Sequence, residues 1–165
     1  MKEIKLNHGY SAMVDDDDYD FLSKFNWHTV FQHKSRAVRE AKTNVWDRVL
    51  KKSNGVSMHI MILGHGGVID HKDGNPLNNQ KANLRRCTQA ENVKNRAIQR
   101  GNKSGFKGVF FQKKLGRWRA QISVMGKAKH LGCFDDPAVA ALSYNEAAKK
   151  YYGEFARLNS IPCAV

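Results

Sequence analysis

Ile69-Asp70-His71-Lys72-Asp73-Gly74-Asn75-Pro76-Leu77-Asn78-Asn79 ends a short apolar run with an acid and a histidine and then breaks into a polar turn. Asp-Gly and Asn-Pro are turn signals, glycine because it tolerates positive φ and asparagine because its side chain bonds its own backbone. Residues 68–71 therefore read as a strand, 72–80 as a loop and 83–87 as a returning strand. Thr88-Gln89-Ala90-Glu91 then has the spacing of a capping box, in which the hydroxyl and the carboxylate each satisfy an N–H at the helix start. A helix is predicted to follow as far as Arg96. The unit is strand, loop, strand, helix.

That order gathers four useful side chains. Asp70 and His71 end the first strand, and Asn83 and Asn92 follow His71 by 12 and 21 positions. With the capped helix packed across the strands, Asn92 faces the strand end, and Asp70 and Asn92 offer two hard oxygens to one cation. Such a pair suits magnesium or manganese rather than zinc. His71 is left for proton transfer. Each fragment alone is only a turn or a loop, and the combination carries the reading.

The pattern D-H-x-D-G-N-x-x-N-N, then N-L-R, then T-x-x-E-N, running from about Met58 to Arg96, resembles the HNH nucleases. The match is to the branch of intron-encoded and free-standing phage homing endonucleases. The resemblance implies a ββα-metal site that hydrolyses a DNA phosphodiester. His71 would be the general base, Asp70 and Asn92 would hold one Mg2+ or Mn2+, and Asn83 would brace the loop and orient His71. Asn92 stands where many members have histidine, a variant typical of the homing branch. His59 also falls where that branch often has histidine, although a lone histidine in an apolar run is more often a core residue.

Upstream, residues 1–55 read as an α+β scaffold of short strands and one helix. Four aspartates, Asp15 to Asp18, open the helix and are expected to act as N-terminal caps and dipole partners. Residues 27–50 suggest strands around a turn near His33 to Ser35, followed by a less readable connection. Residues 56–99 form the nuclease motif, 100–105 have linker composition, and 106–165 form a further module.

In that module three strands are predicted over 106–112, 117–124 and 128–134, with Gly116 and Gly126 at the turns. Asp136 is an N-cap, Pro137 suits the first helical position, and an alanine-rich helix runs to about Tyr152 before Gly153. Period-two alternation puts Arg117, Arg119, Gln121 and Ser123 on one face of the middle strand and Trp118, Ala120, Ile122 and Val124 on the other. The fold class is therefore α+β, with a central ββα-metal unit and a C-terminal three-stranded antiparallel sheet packed on one helix.

Charge supports a polyanionic partner. The chain of 165 residues carries a net +13, but residues 1–91 hold 14 basic against 11 acidic residues, whereas 92–134 hold 11 against none. Lys107, Lys113, Lys114, Lys127 and Lys129 enlarge the positive surface of the sheet, and phosphate contacts from it give affinity that falls with salt. Cys87, Cys133 and Cys163 are far apart, which points away from a zinc ribbon or a disulfide framework. No run approaches the roughly 20 apolar residues that span a bilayer, so no membrane partner is expected.

S-G-F-K-G-V, G-R-W-R-A-Q-I, H-L-G-C-F and the ending A-A-L-S-Y-N-E-A-A…G-E-F-A-R-L-N make residues 103–159 resemble the APETALA2 (ethylene-response-factor) DNA-binding domain. The resemblance implies a sheet laid in the major groove of double-stranded DNA. Lys107, Gln121, Ser123, His130 and Tyr144 stand at contacting positions, while Phe110, Gln112 and Ser123 replace arginines of the plant pattern. Arg117, Arg119 and Lys129 add phosphate contacts. The expectation is a site-selective DNA endonuclease of a phage or mobile element, working in the bacterial host cytoplasm. A monomer, which has one centre, would nick one strand. The competing readings are a DNA-binding regulator that no longer cuts, and a nuclease acting on structured RNA or branched DNA.

Overall fold

The structure, a computed structural model, describes residues 1–32, 37–48, 51–99 and 101–161. The chain divides into two compact units, Met1–Gln89 and Ala90–Val165. Both are α+β, built from small antiparallel sheets.

In the first unit, strand β1 (Lys2–Lys5) pairs with β2 (Ser11–Val14), and helix α1 (Asp16–Leu22) follows. Ile4, Leu6, Ala12, Val14 and Leu22 point into one core with Trp27, Ala41, Met58 and Leu77. Leu22 and Met58 are fully buried, each removing apolar surface worth about 1.5–3 kcal/mol. Trp27 joins this core with its indole N–H donating to the Leu22 carbonyl at 2.8 Å, so burying its ring leaves no donor unpaired.

A second sheet has the order β3 (His28–Phe31), β4 (Val38–Asp47), β5 (Lys52–Ser57). The expected strands are present, the predicted turn at His33 to Ser35 lies outside the described residues, and the connection that was hard to read holds β5. Helix α2 (Met58–Leu63) comes next. Then β6 (Val68–His71) and β7 (Leu84–Cys87) pair in antiparallel register, with Asp70 opposite Arg85 and His71 opposite Leu84. Arg86 on β7 donates to the carbonyls of Leu63, Gly64 and Gly66, which ties the end of α2 to this hairpin.

The second unit opens with α3 (Gln89–Lys94), two residues shorter than predicted. The Lys107 ammonium takes the carbonyls of Lys94 and Arg96, giving the chain a partner where a longer helix would have continued. β8 (Val109–Gln112), β9 (Arg117–Val124) and β10 (Lys127–Phe134) form an antiparallel sheet with β9 in the middle. β8 starts three residues later than predicted because 106–108 form a turn, in which Ser104 Oγ donates to the carbonyls of Phe106 and Val109. Helix α4 (Pro137–Tyr152) packs on the sheet, its start capped by Asp136, whose carboxylate accepts the Ala138 N–H at 2.6 Å.

Alternation on β9 works as predicted: Ala120 and Ile122 are buried against Ala140, Ala141, Ala147 and Ala148 of α4. The small side chains let the helix come close to the strands. Gly108, at φ +76°, is required here, because a Cβ would overlap the Tyr144 ring. Asn159 fastens the chain end to the sheet, accepting the Lys107 N–H at 2.6 Å and exchanging bonds with Asn145 of α4.

Candidate active site and nucleic-acid interface

The loop between β6 and β7 is a network of asparagines around one acid. Asp73 accepts from the Asn75 N–H at 2.8 Å, from Asn78 Nδ2 at 2.8 Å and from Asn83 Nδ2 at 3.0 Å. Burial pushes the Asp73 carboxyl up, but these donors outweigh it, and it sits below the ordinary carboxylate range. Asn83 also donates to the Asn78 carbonyl at 2.8 Å and accepts the Asp73 N–H at 3.1 Å, so one side chain spans both ends of the loop. Gly74, at φ +74°, makes the turn.

The scaffold holds this loop from outside. Met13 of β2 donates to the Leu77 carbonyl at 2.8 Å and its own carbonyl accepts from Asn79 at 2.8 Å. Asp15, expected as a side-chain cap, occupies the N-cap position of α1 but makes no capping bond. Its carboxylate instead accepts the Lys81 N–H at 2.8 Å and Gln80 Nε2 at 3.4 Å. Asp18 pairs with the Lys81 ammonium at 2.8 Å. The loop carries unsatisfied donors and a cation, and these outcompete the helix terminus for the carboxylates.

His71 sits at the strand end, half-buried, with Nε2 at 3.4 Å from Oδ1 of the fully buried Asn79. Asn79 Nδ2 is turned to the Pro76 carbonyl at 3.5 Å, so Oδ1 is the atom offered to the imidazole. The buried amide thus faces the ring and holds its orientation at the strand end. Desolvation lowers the His71 pKa, against the raising effects of Asn79, Asp73 and Asp70, and the ring is neutral at pH 7.

Beside it, His59 of α2 meets His71 edge-on, ring centroids 5.5 Å apart. Burial, with the charge of His71 added, pushes His59 down to about 4 despite Glu40, and its Nδ1 is buried without a partner among the described residues. His59 and Asn79 are the neighbours of His71 to which the sequence assigned no firm role. The second of two adjacent asparagines was the available signal for Asn79.

Asp70 is buried and forked by Arg85, whose Nε and Nη2 lie 2.9 and 2.7 Å from the same oxygen, Oδ2. Asp70, His71 and Asn83 all lie in the first unit, each with its own partners: Arg85, Asn79 and Asp73. Asn92 lies half-buried on α3, in the second unit. Among the described residues no three histidine, cysteine or acidic side chains cluster in a way that could hold a metal ion.

These residues coincide with a known family. The HNH endonuclease family matches residues 63–94, the stretch from the end of α2 through α3. Protein 3.8 of Escherichia phage T7 is 37% identical over 92 residues, 56% of this chain and 75% of that protein. The chain belongs to the HNH endonuclease family. Plant proteins match as well. The AP2-like ethylene-responsive transcription factor TOE2 of Arabidopsis thaliana is 38% identical over 68 residues, 41% of this chain. APETALA2-like protein 2 of Oryza sativa subsp. indica is 39% identical over 66 residues, 40% of this chain. This HNH family member therefore also carries an APETALA2-type DNA-binding domain, although the aligned parts span only 14% and 15% of the plant proteins. No solved structure matches the chain significantly. No helix among the described residues is long and apolar enough to cross a membrane.

In the second unit, the outer face of the sheet carries Ser123 and His130 exposed, with Arg119 and Gln121 half-buried. Other expected contacts are already engaged. Arg117 forks onto Asp135 with bonds of 2.8 and 2.9 Å, and Lys129 donates to the Tyr151 hydroxyl at 2.7 Å. Tyr144 is 3% exposed, inside the core under Gly108. Lys107 is held on the carbonyls past α3, where burial, with Arg157 nearby, pulls its pKa down to about 8. A cleft of about 940 Å³ lies beside β8 and β9, lined by residues that include Lys103, Phe110, Gln121 and Ser123.

Proposed function

We propose that this HNH family member is a site-selective, homing-type DNA endonuclease that nicks double-stranded DNA. The reading is carried by His71, an imidazole at a strand end that faces the buried Asn79 and whose pKa burial lowers. As general base His71 takes a proton from the attacking water, a role worth about 10²–10⁴ in rate. Asn83 keeps the loop closed on Asp73, which fixes the approach to His71.

Asp70 and Asn92 are the proposed ligands of one magnesium or manganese ion. An acid and an amide oxygen suit such a hard cation. When bound, such an ion stabilises the charge that builds on the phosphate and the leaving oxygen.

The sheet of the second unit supplies the address. Arg119, Gln121, Ser123 and His130 are assigned to DNA, with Arg117 joining when phosphate replaces Asp135 and Lys129, on the sheet's edge strand, when phosphate replaces the Tyr151 hydroxyl. Lys107 and Tyr144, expected at the interface from the plant resemblance, are assigned to the frame, because one is consumed by backbone carbonyls and the other is core.

Nicking of supercoiled plasmid with magnesium, manganese or chelator tests the reading. His71→Ala is expected to remove metal-dependent nicking by about 10² or more while leaving DNA binding intact. Salt-sensitive binding with no cleavage across a library of sites would favour the regulator. Preferential cleavage of RNA or branched competitors would move the substrate class.

A further inference from the structure

We infer that Phe110 and Arg119 form a base-reading pair for adjacent thymine and guanine in duplex DNA. The inference rests on the sheet being the DNA-binding face and names what that face selects.

Strand register carries the first step. Phe110 lies opposite Arg119 across β8 and β9, while the neighbouring pair, Val109 opposite Ala120, is fully buried under α4. Successive side chains alternate across a sheet, so Phe110 and Arg119 share the face turned away from the helix. The adjacent Phe111 packs edge-on against Trp118 at 5.1 Å, whereas Phe110, 38% exposed, has the Arg119 guanidinium 5.7 Å from its ring centre. Across the rest of this face the same alternation and register place polar Gln112, Gln121, Ser123 and His130. A phenylalanine left in water among groups made for hydrogen bonding marks a contact of another kind.

Chemistry supplies the second step. The thymine 5-methyl is the apolar feature of the major-groove edge, and phenylalanine is among the side chains that contact it. Arginine is the usual reader of guanine O6 and N7. Stacking on a ring holds the guanidinium plane and reduces the freedom lost when it binds. Arg119 Nε is shielded from solvent and has no hydrogen-bond partner among the described residues. A desolvated donor of this kind is costly, and an acceptor on a base edge relieves the cost. An apolar ring and a guanidinium side by side match a methyl and an acceptor pair side by side.

The test is selection by the full chain, in chelator, from random-sequence duplexes. The parent is expected to enrich thymine beside guanine. Remaking the selected duplex with deoxyuridine, which lacks the methyl, should weaken parent binding about fourfold, as expected for one buried methyl. Phe110→Ala should lose both the thymine preference and the response to deoxyuridine, Phe110→Leu should keep much of each, and Arg119→Ala should lose guanine. Equal binding of thymine and deoxyuridine duplexes by the parent, or an unchanged preference in Phe110→Ala, overturns the pair while leaving DNA binding standing. No DNA retained by the parent even at low salt overturns the DNA-binding reading, and the pair with it.

Discussion

Two arginine–aspartate forks, one in each unit, use the same atoms for different ends. Arg85 meets Asp70 through Nε and Nη2 with side chains 10% and 7% exposed, whereas Arg117 meets Asp135 through the same two nitrogens at 45% and 85%. In the first unit the pair is dry, so it cannot open without leaving a charge stranded, and it locks the strand that carries His71. In the second the pair is wet and screened, so opening costs little and the arginine is available to a phosphate. The first unit uses its charges to fix geometry. The binding unit keeps its charges exchangeable.

This contrast is breakable by mutation. Asp70→Ala takes the buried carboxylate away from Arg85 and is expected to cost about 3–5 kcal/mol, read as a lowered urea midpoint in chelator, where metal binding plays no part. A loss as small as that of an exposed pair would erase the distinction.

Acid should unsettle the first unit next. His59 and His71 bind protons less readily folded than unfolded, so their contribution to stability is present above pH 6.5. It is lost as pH falls through the folded values, about 4 for His59. Between pH 6.5 and 4.5, His59→Leu should lose less stability than the parent by urea denaturation. Parallel losses would show that His59 is not held neutral by burial.

The smallest effect belongs to Asp135→Ala. Its urea midpoint should barely move, yet freeing Arg117 should tighten DNA binding and steepen the salt dependence by up to about one phosphate contact. Unchanged salt dependence would mean that Arg117 is not on the DNA path.

The catalytic motif was legible because its signals are local. Asp-Gly and Asn-Pro made the turn, and alternation on β9 sorted Arg119 and Gln121 from Ala120 and Ile122. Asp136 and Pro137 started α4 where expected. What was misjudged involved competition between places far apart in the chain. Asp15 looked like a cap because nothing in its own segment revealed that Lys81, 66 residues later, would take its carboxylate. Nor did the sequence show that the carbonyls of Lys94 and Arg96 hold Lys107, or that Tyr144 packs against Gly108.

By itself, then, the sequence determined most of the strands, the turn after His71, the starts of α1, α3 and α4, the acid–histidine pair and the concentration of charge in residues 92–134, since these depend on backbone preference and residue type over a few positions. Only the tertiary structure decided that Asn79 faces His71, that His59 stands against it, that Asp70 is forked by Arg85, and that Phe110 shares a face with Arg119. Those are properties of side chains meeting across elements, where burial removes water and leaves the nearest partner to set charge state and orientation.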